Sequence, residues 1–174
     1  MNPINFVWAV PIFFSIHELE EWNILNCYKK YYVNLPPSTN FSIHLHILTF
    51  CIAGFLLTSV AIFFQTTFLF SLIICFLSGF ILLNVFQHIV WTIQLKAYSP
   101  GLISGLILLA VTAFVNSKLI SNNLIQLPFY LIILLAIIPG IKTIKVKNEM
   151  TPEIRRVHNL FISIENRLKA RNKK

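Results

Sequence analysis

Long apolar runs separated by short polar or proline-bearing stretches make up most of the chain. The first extends from Ile4 to Trp22 or Ile24, with Pro11 expected to kink it. Residues 27–39, with Lys29-Lys30 and Pro36-Pro37-Ser38, read as a loop that stops one helix and starts the next. The second run spans about Ile43 to Phe64 and the third about Phe68 to Gln94, joined by the uncharged turn Gln65-Thr66-Thr67. Lys96 to Gly101 leads into a fourth run, about Leu102 to Val115, where Gly101 and Gly105 form a small-xxx-small pair suited to close helix approach. Residues 116–126 read as a polar loop, and a short fifth run, about Leu127 to Ile141, ends at Pro139-Gly140. Runs near or above ~18 apolar residues are the lengths that cross a bilayer as helices. The expected fold is all-α: a polytopic membrane bundle of about five spans over residues 1–141, followed by a different segment, 142–174.

That last segment is predicted to be a basic amphipathic helix. Thr151-Pro152-Glu153 is a helix start, with threonine as N-cap and proline at the first position. Ile154, Val157, Phe161, Ile164 and Leu168 then recur every three or four residues, with Arg and Lys around them. Such a helix either packs on the end of the bundle or lies on anionic lipid. His158 within it reads as solvated.

Composition agrees with a membrane protein: 56% of the 174 residues are hydrophobic and 11% charged, with mean hydropathy +0.74. The net charge of +8 argues for topology and lipid headgroups rather than nucleic acid, because ten of the fourteen Lys and Arg lie in residues 142–174. That segment should therefore be cytoplasmic, and with five spans the amino terminus lies outside. Lys29, Lys30 and Lys96 then fall inside and only Lys118 outside. The expected location is a bacterial cell membrane. No Lys or Arg precedes the first run, which argues against a signal peptide. Cys27, Cys51 and Cys75 have no CxxC spacing and read as apolar residues.

The candidate chemistry begins at the end of the first run, in His17-Glu18-Leu19-Glu20-Glu21. At ~100° per residue, with His17 at zero, Glu21 falls at about 40° and Glu20 at about −60°, so the three share one arc while Glu18 points off its edge. An ionisable group inside a membrane costs roughly 2.5–3.5 kcal/mol, which makes such a cluster a functional candidate. The topology brings other polar residues to the same leaflet: His44 and His46 opening the second span, Asn84 and His88 on one face of the third, and Tyr98-Ser99-Pro100-Gly101 in the loop. Imidazole with carboxylate is a ligand set for Zn²⁺ or non-haem Fe. His17, Glu21, His88 and one of His44 or His46 would complete a shell. Glu20 or Glu21 would serve as general base, Asn84 would orient a ligand or the substrate, and Tyr98 would supply a hydroxyl. The zincin HExxH is not matched, because its fifth position here is glutamate.

These residues resemble the HXXEE integral membrane proteins. The naming motif stands as His17-Glu18-Leu19-Glu20-Glu21, and Asn84-Val85-Phe86-Gln87-His88 and Tyr98-Ser99-Pro100-Gly101 are similar to the family's Asn-xxx-His and Tyr-x-Pro-Gly blocks. The resemblance covers roughly the first 115 to 140 residues. It implies a shared site of His17, Glu20, Glu21, Asn84, His88 and Tyr98, and no substrate; His44 and His46 rest on topology alone. The leading expectation is a membrane-embedded metal-dependent hydrolase or transferase acting on a lipid or other apolar substrate from the cytoplasmic leaflet. The alternatives are a proton- or cation-coupled transporter and a non-enzymatic scaffold that uses the basic tail.

Overall fold

A computed structural model describes residues 2–126, 131, 137–146 and 148–171. The described chain is helical, with no strand among the described residues. Three helices are long and apolar enough to cross a membrane: α3 (Asn40–Phe63), α4 (Phe68–Leu95) and α5 (Leu102–Ser121). At 1.5 Å per residue they measure about 36, 42 and 30 Å against a hydrocarbon core of ~30 Å. The second and third runs therefore lie where the hydrophobic pattern puts them.

The first run is built in pieces: a 3-10 segment (Pro3–Trp8), α1 (Ala9–Glu20), a single 3-10 turn (Glu21–Asn23) and α2 (Ile24–Tyr31). Pro11 stands in the first turn of α1, directly behind the 3-10 segment. First-turn N–H groups have no intrahelical partner, so the missing donor costs nothing there. The residues from Cys27 to Tyr31, expected as loop, are helical instead. Ile24, Leu25 and Tyr28 form a buried stripe at one- and four-residue spacing, and Tyr28 packs edge-on against Trp91 at 5.9 Å. Lys29 and Lys30 take the last turn, where positive charge suits the helix dipole.

α3 begins as Pro36-Pro37-Ser38 foretells. Thr39 is its N-cap, with Ser42 N–H donating to Thr39 Oγ1 at 3.1 Å and Thr39 N–H donating to Ser42 Oγ at 3.0 Å. α5 continues six residues past the expected end of its run. Val115 and Leu119 extend the buried face of Leu108 and Thr112, and Asn116 donates to Ser78 Oγ at 2.9 Å, so a polar residue finds its partner within the bundle. Most of the fifth run, residues 127–130 and 132–136, lies outside the described residues. Its end does not stop at Pro139-Gly140: α6 (Ile137–Lys145) runs through both.

α7 (Pro152–Arg171) starts at the predicted position and folds back on α3. His158 is buried, 4% exposed, rather than solvated: Ser38 Oγ lies 2.9 Å from its Nδ1, and Tyr28 and His46 face its ring. Glu165, 2% exposed, accepts from Thr39 Oγ1 at 2.6 Å and from Lys169 Nζ at 2.5 Å. The Thr39 hydroxyl thus accepts from the first turn of α3 while donating to α7. α7 is thus docked against α3 and the residues that lead into it.

The core is a layer of aliphatic and Phe side chains, with Val7, Phe14, Phe70, Ile81, Val85 and Leu108 at its centre. Its polarity is set at one end. The last turn of α1, the first turns of α3 and α5, and the last turns of α4 meet there.

Candidate metal centre

At that end His17, Glu21 and His88 converge. Glu21 Oε1 lies 3.0 Å from His17 Nε2 and 2.9 Å from His88 Nε2, and the three atoms fall within 4.8 Å of one another. The i,i+4 spacing in the helical stretch places His17 and Glu21 on one face, and the single 3-10 turn at Glu21 carries the carboxylate toward α4. The imidazoles are buried, 0% and 2% exposed, while the Glu21 side chain keeps 12% of its surface.

Each ring is held through its other nitrogen. His88 Nδ1 is 3.1 Å from Ser99 Oγ, and His17 Nδ1 is 3.3 Å from Ser104 Oγ. Such contacts fix ring orientation, with each Nε2 facing the group. The side-chain oxygen of Asn84, one turn before His88, lies 2.7 Å from His17 Nε2, so it accepts whenever that nitrogen carries its hydrogen. The residues of the Asn-xxx-His pair thus each reach the motif on α1.

Glycine makes this approach feasible at two places. Gly101 has φ 94°, and a Cβ there would lie 2.8 Å from His88 Cε1 and 3.0 Å from Glu21 Cγ. On α5, a Cβ at Gly105 would meet the His17 ring at 3.3 Å, so the small-xxx-small pair brings α5 against α1.

Glu20 and Tyr98 are adjacent to the group and outside it. One Glu20 oxygen accepts from the Tyr98 hydroxyl, and the other accepts from Ser104 N–H at 2.9 Å. The carboxylate therefore caps the N-terminal turn of α5, where the free N–H groups and the dipole favour an anion. His44 is not brought into the group. Its ring stacks on Trp22 at 3.8 Å, and its Nε2 lies 3.1 Å from the Trp22 carbonyl oxygen. Nor is His46, whose ring faces Phe50, Phe161 and His158. Two residues apart on a helix, these histidines point about 200° from each other, and α3 is rotated so that neither aims at Glu21. Of the two, His46 lines a cavity of about 170 Å³ whose walls also include Glu21, Asn84 and His88, with Ile154 and Val157 of α7 across it.

Sequence reasoning missed Ser99, Ser104 and the burial of Glu18, which is 5% exposed. Ser99 is the variable residue of Tyr-x-Pro-Gly, and Ser104 stands three residues after Gly101, in the first turn of α5. Hydroxyls beside a predicted histidine-bearing helix end were the available signal for both.

A family model described as "protein of unknown function with HXXEE motif" matches residues 8–116. The chain belongs to the HXXEE family. The HXXEE match takes in His17, Glu20, Glu21, Asn84, His88, Tyr98, Ser99 and Ser104, and it ends before α6 and α7. No curated protein and no solved structure matches the chain.

Two imidazoles and one carboxylate form a donor set of catalytic zinc sites and of non-haem iron sites, with positions left open. Ligands ~2.0–2.1 Å from a tetrahedral ion stand roughly 3.3 Å apart, close to the two Glu21 distances. Glu21 Oε1 is buried, yet no hydrogen bond of acceptable angle reaches it despite two imidazole nitrogens within 3.0 Å. An oxygen so placed is costly without a cation or an aligned donor. The residues fit a divalent ion.

Proposed function

We propose that the protein is a membrane-embedded metal-dependent enzyme, a hydrolase or transferase that acts on a lipid or other apolar substrate from the cytoplasmic leaflet. The observation that carries this reading is the convergence of His17 Nε2, Glu21 Oε1 and His88 Nε2 from two helices, with the carboxylate oxygen left without an aligned donor. His17, Glu21 and His88 hold the ion, and Ser99 and Ser104 hold the two rings in place. Bound there, a divalent cation supplies a Lewis acid and lowers the pKa of water toward ~7. Asn84 orients His17 or a polar group of the substrate. Glu20, outside the three-atom group, is the carboxylate left to move a proton, and Tyr98, which donates its one hydroxyl hydrogen to Glu20, would serve a developing negative charge only after letting go of that carboxylate. The cavity of about 170 Å³ beside Glu21 and His88 gives a substrate room, with polar walls on one side and Phe50, Phe80 and Leu83 on the other.

The test is metal analysis of detergent-purified protein after loading with zinc or ferrous iron. Stoichiometric metal is expected in the wild type and in His44→Ala and His46→Ala, and its loss in His17→Ala and His88→Ala. Sub-stoichiometric metal in the loaded wild type overturns the reading.

A further inference from the structure

A second cavity, about 240 Å³, lies deeper in the bundle between α1, α3 and α4. Its walls are carbon: Val10, Pro11 and Phe14 from α1, Leu57 from α3, Leu77 and Ile81 from α4, with the Thr58 hydroxyl as an exception. An engineered apolar cavity of ~150 Å³ stays dry and takes benzene, so this larger one is a site for hydrocarbon rather than water. Phe50 and Phe80 line both this cavity and the one beside Glu21 and His88, their rings stacked with centroids 5.7 Å apart. The two spaces therefore meet at this ring pair, polar on one side and apolar on the other. From Phe50 to Thr58 the α3 wall rises about 12 Å. Of the twelve residues that line it, only Thr58 carries a side-chain hydroxyl, which suits a hydrocarbon segment rather than a polar group. Phe76, 58% exposed, and the half-buried Ala53 border the cavity, so it opens sideways between α3 and α4.

We infer that this cavity holds the hydrocarbon chain of an amphiphilic substrate, whose polar reacting group then lies beside His17, Glu21 and His88. This rests on the proposed function and names its substrate class. The Phe50–Phe80 pair is the joint between head and chain. Gly54 sets how far the chain can run. A Cβ there would meet Phe14 Cδ1 at 3.6 Å and Pro11 Cβ at 3.9 Å, ordinary contacts, so a larger side chain grows into the cavity without moving backbone.

The experiment is photo-crosslinking with palmitic acid carrying a mid-chain diazirine, in vesicles of phosphatidylethanolamine and phosphatidylglycerol, with adducts mapped by mass spectrometry. Adducts on Leu57, Leu77 and Phe80 are expected, competed by unlabelled palmitate and only weakly by octanoate. Gly54→Leu is expected to reduce them about tenfold, the effect of ~1.4 kcal/mol. Ile52→Phe, on the exposed face of the same helix, leaves them unchanged. Equal labelling in wild type and Gly54→Leu, or adducts confined to outward residues such as Ile52 and Phe63, overturns the inference and identifies the occupant as ordinary bilayer lipid. Should Gly54→Leu fail to fold, Leu57→Phe is judged by the same criterion. Zinc content measured on the same samples separates the two proposals: cavity labelling that persists without metal sinks only the metal reading, and stoichiometric metal without cavity labelling sinks only the chain.

Discussion

Gly101 shows how tightly the centre is specified at the level of single residues. Its φ of 94° is strained for any residue with a Cβ, and that Cβ would lie 2.8 Å from the His88 ring. Gly101→Ala is therefore expected to cost more than ~1 kcal/mol of stability and to displace His88 or Glu21, with bound metal lost. Thermal unfolding and metal content measured together check this; a variant that keeps both shows that the turn is slack. Ser99→Ala acts more gently, since it frees His88 Nδ1 while leaving every metal-facing atom in place. It is expected to weaken metal affinity about 10–100-fold with little change in fold. At this scale the sequence was informative where helical spacing alone decides geometry. His17 with Glu21, and Asn84 with His88, follow from four-residue spacing and meet as the motifs imply. His44 and His46 were not decidable, because their direction depends on the rotation of α3, and the groups they meet are Trp22 and α7 rather than anything beside them in sequence.

Among the elements, α7 is the one whose placement its pattern left open. The apolar stripe was legible, but the same stripe serves a helix on lipid or one docked on protein. The deciding groups are polar and distant: Ser38 for His158, and Thr39 for Glu165. Docking should depend on pH with a definite sign. Burial pushes the His158 imidazole down to about 4, and nearby His46 adds to the effect, whereas an undocked histidine titrates near ~6.5. Between those values the undocked helix takes up a proton that the docked one refuses. Docking is thus at full strength above about pH 6.5 and weakens as the pH falls toward about 4, by roughly 3 kcal/mol at most. The carboxyl of Glu165, held below its usual range by Lys169 and then Thr39, works in the same direction at lower pH. Hydrogen exchange of α7 amides, corrected for intrinsic rates, should show protection falling across this window. His158→Gln should reduce the upper part of the curve, leaving the share of His46, whose ring packs on His158 and Phe161, and the carboxylate part. Protection independent of pH in the wild type excludes the account.

For the whole molecule, the element order alone carries most of the architecture, because antiparallel spans alternate their ends. The start of α3, the end of α4 and the start of α5 share one end of the bundle by that alternation, and the contacts of Glu20 and Glu21 bring the end of α1 to it. The breaks within the first run and the full length of α5 were not legible, since both depend on partners such as Trp91 and Ser78 in other helices. The same alternation sorts the charge. Lys29, Lys30 and Lys96 sit at the end that holds His17, Glu21 and His88, and α6 joins them there, with Gln94 donating to the Ile144 carbonyl at 2.8 Å. Lys118 closes α5 at the opposite end. Positive loops are retained in the cytoplasm, so the end that holds His17, Glu21 and His88 is expected inside. In a cysteine-free background, a membrane-impermeant maleimide added to intact cells should label Asn122→Cys, beside Lys118, and leave Asn34→Cys unlabelled until the membrane is permeabilised. The reverse pattern would put His17, Glu21 and His88 on the outer leaflet, and the substrate would then have to be sought among lipids or amphiphiles of that face.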